Sequence, residues 1–445
     1  MSSMRIIRPT VSLLAIFGFD GACGFSLSPP TNSIETDKAL RSAPELKSPL
    51  CCNSEELSNV LNGKGRAQNC WDALRLGVDP VWYYSSLDQD SLESEYTESL
   101  GLKSWSRQEI QDSMSAVSVT NPLGKDTINL LNENFASIEG EIAQLSKLSI
   151  APDGTTKMLI KLLRDGLEVE SVIIPWDDQG KSTLCISSQV GCRQACTFCA
   201  TGRMGKYRNL STSEILAQMH LGIKVCRLND VFPINNVVFM GQGEPADNAE
   251  SVVEAAKILA DRDLYQLSPR RVTISTVAPE PECFSKIGEA GVALAWSVHA
   301  SKQELREELV PTTRHSMNDL REGLITTLQG RTKRQRNTML EVALIGGVND
   351  SKEDALHLVE FCQPFFEEVK GMKLFVNLIP WNDIGATHGP ASTYKKPDME
   401  RVIQYQDVLR EHGILCYIRT TRGDEENAAC GMLTTKKKKS ERETV

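Results

Sequence analysis

The stretch STLCISSQVGCRQACTFC, residues 182–199, joins an apolar, strand-like run at 182–190 to three cysteines spaced CxxxCxxC: Cys192, Cys196 and Cys199. A helical pattern follows at 213–227, with apolar residues recurring every three or four positions. The pair then repeats. Strand-like runs at 236–240, 271–276, 292–299, 337–345 and 373–380 alternate with helical patterns at 251–261, 281–290, 317–329, 352–365 and 398–412. Six such units predict an α/β fold, a parallel sheet with right-handed crossovers curled into a partial (β/α)6 barrel. Chemistry in barrels of this kind sits on the loops at the C-terminal ends of the strands, where the cysteines fall.

Upstream, amphipathic stretches at 106–114 and 127–145 and paired strand-like runs at 157–163 and 168–174 predict a small α+β accessory domain over 85–177. The barrel core then spans 178–424, and 425–445 is a loop with a basic tail. Residues 31–84 carry Pro, Ser and Asn with little sustained periodicity and read as a linker or extension. Residues 1–30 read as a targeting presequence: Arg5 and Arg8, an apolar run at 11–19, then Ala22, Cys23 and Gly24. The Ala22-Cys23-Gly24-Phe25 stretch resembles the cleavage region of bipartite plastid-targeting presequences. A plastid address is expected, with mitochondrion and cytoplasm as the alternatives.

With 445 residues, the chain is long enough for one large core or two modest ones. No run reaches the roughly 18 uninterrupted apolar residues of a spanning helix, so no membrane role is expected. Thirteen cysteines scattered along a long chain, with one tight cluster, favour thiol or metal chemistry over a disulfide framework. A net charge of −9 argues against wrapping nucleic acid by charge alone. Basic patches lie at 203–208 (RMGKYR), Arg270-Arg271, 331–336 (RTKRQR) and 436–439, each explicable as solvated surface.

Three thiolates can hold a cubic four-iron cluster and leave one iron free to chelate the amino and carboxylate groups of S-adenosylmethionine (SAM). A structural zinc site would want a fourth Cys or His in register; Cys185 lies seven residues upstream. After the second strand comes GQGEP (241–245), where glycines let backbone approach a ligand and Glu244 can accept from an ammonium group. Ser275, Ser297, His299 and Asn377 put polar groups on otherwise apolar strands, and Ser297 and His299 share a face. Structural hydrogen bonding explains each of them singly. Cys430, flanked by small residues, reads alone as an inert buried thiol.

From about residue 168 to 433 the chain resembles the RlmN/Cfr family of radical SAM methyltransferases. The carrying segments are TLCISSQVGC, CTFCATG, RNLSTSEI, NNVVFMGQGEP, RRVTIST, WSVHA, ELVPTTR, GGVND, NLIPWN and TTRGDEENAACG, in that order. The resemblance implies a 4Fe–4S cluster on Cys192, Cys196 and Cys199. It implies a SAM site at Gly243, Glu244, Ser275, Ser297, Val298, His299 and Asn377. It makes Cys430 the methyl-carrying cysteine, Cys185 its disulfide partner, and Glu170, in VESVIIP, the proton acceptor.

The implied reaction consumes two SAM molecules per turnover. One methylates Cys430; the other yields a 5′-deoxyadenosyl radical that takes hydrogen from that methyl group. The methylene then adds to an adenine carbon, a position too poorly nucleophilic for ordinary transfer from SAM. Attack by Cys185 on Cys430 releases the product. The implied substrate is C2 of an adenosine in large-subunit rRNA, with tRNA a second target and C8 methylation or a different substrate the alternatives. The implied partners are RNA and an electron donor such as ferredoxin or flavodoxin, acting on a monomer. An acidic chain can still take a splayed-out base by stacking and edge contacts. The sequence departs from the family in ISTVAPEP (274–281), which lacks an expected glycine, and in an accessory region that keeps DGTTKMLI (153–160) and little else.

Overall fold

The computed structural model describes residues 46–85, 97–103, 106–117, 123–419, 422 and 432–433. They build a ten-stranded sheet whose helices pack on its outer face. Its first members are β1 (Ala143–Ile150), β2 (Thr156–Leu162), β3 (Glu168–Trp176) and β4 (Lys181–Cys185), paired antiparallel in sequence order. From β4 onward the neighbours are parallel: β7 (Ile234–Phe239), β8 (Val272–Thr276), β9 (Ala293–Ser297), β10 (Thr338–Leu344), β11 (Leu374–Pro380) and β12 (Leu415–Ile418). A separate ribbon pairs β5 (Gln189–Cys192) with β6 (Gly205–Asn209) around the cysteine loop.

The crossover helices start where the sequence supplies caps. Ser211 and Glu214 form a reciprocal capping box at the head of Thr212–Leu228, and Ser351 with Asp354 does the same for Lys352–Glu368. One apolar core runs beneath β1–β4 and β7–β9, with Trp71, Phe239 and Leu259 fully buried. A second, around Trp296, Phe284 and Phe365, lies under the later strands. The sheet curls far enough for its distant parts to meet. Trp381, just past β11, donates its indole N–H to Phe198 O in the cysteine loop at 3.0 Å. Arg422, past β12, donates to Pro175 O of β3 at 2.9 Å and lies 4.6 Å over the Trp176 ring.

The six strand–helix units predicted from periodicity are present, each within a few residues of its expected bounds. Three expectations differ. The run 182–190 is two strands, because the chain turns at Ile186–Ser188 to start the cysteine ribbon. Most of 31–84 is not a bare linker: Ser54–Val60, Lys64–Arg75 and Pro80–Ser85 are helices whose Leu57, Trp71 and Leu74 are fully buried in the first core. The helical pattern at 127–145 is the helix Lys125–Asn134 followed by β1. The presequence, Cys430 and the basic tail lie outside the described residues.

Candidate active site

The ends of β5, β7, β8, β9, β10 and β11 surround a cavity of about 950 Å³, counting its open mouth, a size suited to a cofactor-sized ligand. Cys192, Cys196 and Cys199 form one wall; Gly243, Glu244, Ser275, Ser297, His299 and Glu341 line the rest.

The cysteine loop is shaped by backbone that only small residues allow. Gly191 has φ +73°, and a Cβ there would sit 1.9 Å from Gly205 O in the facing strand. Gly202 packs on the backbone of Cys196. Cys196 and Phe198 pack against Ala343, Ile345 and Trp381, which seats the loop on the far strands. Burial pushes all three thiols up, Cys196 to about 12, so binding a metal cluster here must release their protons. Among the described residues no three or more Cys, His, Asp or Glu side chains are placed to share one ion. A four-iron cube does not ask for that, since each thiolate attaches to a different iron. Three thiols on one wall, open to a polar cavity, fit such a cluster and a chelating ligand.

Glu244 is buried, and burial lifts its carboxyl to about 7 although it accepts N–H groups from Ala246 and Val277 at 2.9 Å each. Gly243, at φ +101°, lies where a Cβ would meet Gln189 at 2.6 Å. His299 also takes a left-handed φ, +56°. Burial, then the nearby Arg306 charge, hold its pKa well below the usual histidine value. Its Nδ1 accepts from Ala343 N at 3.2 Å, so the neutral ring carries its proton on Nε2.

Not every expected residue reaches the cavity wall. Val298 alternates away from it into the second core, and only its carbonyl is used, accepting from Arg306 at 2.8 Å. Asn377 stands behind the wall and donates to Glu341 at 3.4 Å. Cys185 is buried beside Val172, Ile174, Val238 and Leu433. Glu170 lies on the same face of β3 as Val172, the partner of Cys185, and forms an ion pair with Lys157 at 3.4 Å. Leu433, which also lines the cavity, accepts from Thr201 Oγ1 at 2.5 Å.

Two site residues escaped the sequence reading. Arg306 is fully buried and donates to the carbonyls of Val277, Ser297 and Val298, fastening the ends of β8 and β9. Burial lowers its pKa to about 10, and it brings positive charge to Cys196 and Glu244. Glu341 receives Ser275, Ser297 and Asn377. Its signal was present, a lone carboxylate in the apolar run 338–345.

The cysteine wall, the GxGEP turn and the parallel barrel together define a radical SAM enzyme, working with a 4Fe–4S cluster and SAM; the profile of the Radical SAM superfamily matches residues 186–359. A crystal structure of a radical SAM methyltransferase from Sphaerobacter thermophilus superposes with a TM-score of 0.66 at 28% identity, over 87% of this chain and 99% of that one. The dual-specificity RNA methyltransferase RlmN of Francisella tularensis subsp. mediasiatica is 38% identical over 315 residues, 70% of this chain and 80% of that protein. Its namesake in Campylobacter lari is 34% identical over 409 residues, 89% of this chain and 99% of its own. The chain belongs to the RlmN family.

Proposed function

We propose that this protein methylates C2 of an adenosine in large-subunit rRNA and in tRNA through a methyl group carried on Cys430. The observation that carries the reading is one cavity on which the three-cysteine wall, Glu244, Ser275, Ser297 and His299 converge, closed by Leu433, three residues after Cys430. Three residues span at most about 11 Å, so the anchoring of Leu433 by Thr201, two residues past Cys199, tethers the Cys430 segment beside the cluster loop.

The residues divide the work. Cys192, Cys196 and Cys199 hold the cluster, which, once reduced by a carrier such as ferredoxin or flavodoxin, supplies the electron that splits SAM. Glu244, raised to about 7 by burial, accepts from the ligand's ammonium group. Binding that cation draws the carboxyl towards its ionised form. His299 offers Nε2–H to an acceptor on the ligand, and its neutrality adds no charge beside the sulfonium. Cys430 carries the methyl carbon to the base, Glu170 takes the proton lost when that carbon bonds to the ring, and Cys185 attacks the Cys430 sulfur to free the product. Glu170 and Cys185 are diagonal neighbours across β3 and β4, about 7 Å apart by sheet geometry, so proton removal and thiol attack occur on one side of the bound base. Lys157 keeps Glu170 company as the counter-ion that favours its ionised form.

The chain acts as a monomer, and residues 1–30 direct it to a plastid. A fluorescent fusion of residues 1–60 that stayed in the cytosol contradicts the latter. The test of the reaction is mass spectrometry of nucleosides from ribosomal and transfer RNA of cells with and without the protein. Loss of 2-methyladenosine supports the reading, loss of 8-methyladenosine reassigns the carbon, and no change in either overturns it.

A further inference from the structure

The cavity's polar side chains converge on Glu341, to which the chemistry above gives no task. Glu341 sits within β10, 3% exposed, on the cavity wall. Ser275 Oγ donates to its Oε2 at 2.8 Å and Ser297 Oγ approaches the same atom at 3.3 Å, while Asn377 Nδ2 donates to Oε1 at 3.4 Å. The register makes this a row across three parallel strands, Ser297 opposite Glu341 opposite Asn377. Among the described residues no Lys, Arg or His forms an ion pair with it.

A buried carboxylate can accept about four hydrogen bonds, and here three come from neutral donors. The row thus holds a negative charge with acceptor capacity left over, flanked by hydroxyls that can themselves still accept. Depth says which part of a ligand meets it. Cys196 and Phe198 pack on Ala343 and Ile345 of the same strand, whereas Glu341 is two residues further in, about 6.6 Å along the strand. A ligand whose charged end lies at the cysteine wall therefore presents its other half to Glu341.

On the reading that this cavity binds SAM, we propose that Glu341 is the residue that selects the nucleoside half by accepting from its two vicinal ribose hydroxyls. A cis-diol offers two adjacent O–H donors, matched to the two oxygens of one carboxylate; the adenine edge and the thioether chain offer no such pair. Ser275, Ser297 and Asn377 are the positioning residues that fix the carboxylate's plane.

The experiment uses the full, cluster-reconstituted protein and no turnover: equilibrium dialysis of S-adenosylhomocysteine and of its 2′,3′-dideoxy analogue. The wild type should hold the diol form at least tenfold more tightly, and Glu341→Gln should lose most of that preference at unchanged iron content. Glu341→Asp, with the charge drawn back, should keep part of it. Equal binding of both ligands by the wild type overturns the proposal, whatever the variants do. Equal weakening of both ligands in Glu341→Gln also overturns it, since that is what a purely structural role does. Binding of neither ligand by the wild type defeats the SAM reading itself.

Discussion

Arg306→Ala tests the part of the site that the sequence hid. The guanidinium donates to three carbonyls at the ends of β8 and β9, and their burial sets the cost of losing it. Val298 is fully buried, so its carbonyl loses its only side-chain donor in a dry place, at about 2 kcal/mol. Val277 and Ser297 are half-buried and border the cavity, so water can replace part of what is lost, leaving about 1 kcal/mol each. The sum, about 4 kcal/mol, falls in the range for removing one member of a buried charged cluster. Arg306→Lys keeps the charge but not the fork, and one ammonium cannot reach three carbonyls in fixed directions; about half the loss should remain. Urea unfolding of the anaerobic protein reads both variants. Dialysis of S-adenosylhomocysteine should show weakened binding in Arg306→Ala, because Ser297 and Val277 stand on the cavity wall. A loss below about 1 kcal/mol in Arg306→Ala, against the 1–3 kcal/mol of a single orphaned carbonyl, refutes the clamp.

Gly191→Ala places a Cβ 1.9 Å from Gly205 O at φ +73°; the β5–β6 ribbon must open, and iron per chain after reconstitution should fall to a minor fraction of the wild-type value. His299 has a folded pKa below its unfolded value of about 6.5, so the unfolded chain takes up the proton first. Its neutral burial therefore supports the fold above pH 6.5 and loses that support as pH falls below it, by up to about 1.4 kcal/mol per pH unit. The urea midpoint of the wild type should drop more between pH 6.5 and 5.5 than that of His299→Phe, and parallel curves contradict the assignment. Cys185→Ala should leave RNA covalently joined to the protein after one turnover, seen as a protein band that carries labelled RNA and collapses on nuclease treatment; free methylated RNA at the wild-type rate argues against a resolving thiol.

The βα alternation was legible because each strand is buried on both faces and each crossover helix carries an apolar stripe, and those periods survive in one sequence. The cysteine spacing and the GQGEP turn were legible for the same local reason. Arg306 was not: in QELREEL (303–309) it looks like one more charge on a solvated helix, and only the approach of three carbonyls from β8 and β9 reveals its burial. β12, four residues of LCYI, is too short for a period to show, and tertiary pairing with β11 makes it a strand. The helices from Ser54 were hidden by the polar, proline-bearing stretch before them, although Leu57, Trp71 and Leu74 mark their buried side. Glu170 and Cys185 came only through the family resemblance. Their adjacency across β3 and β4 is a matter of register, which a single strand does not encode.

The most direct test of the account is one labelled turnover. The reconstituted, reduced protein is given SAM bearing a CD3 group and an adenosine-containing ribosomal RNA, and the nucleosides are weighed. A methyl group that first rests on Cys430 and surrenders one hydrogen before bonding to carbon must appear on 2-methyladenosine with two deuterons. Three deuterons would mean direct transfer without the cysteine-borne radical, and the absence of any methylated adenosine while SAM is cleaved would mean that RNA is not the substrate.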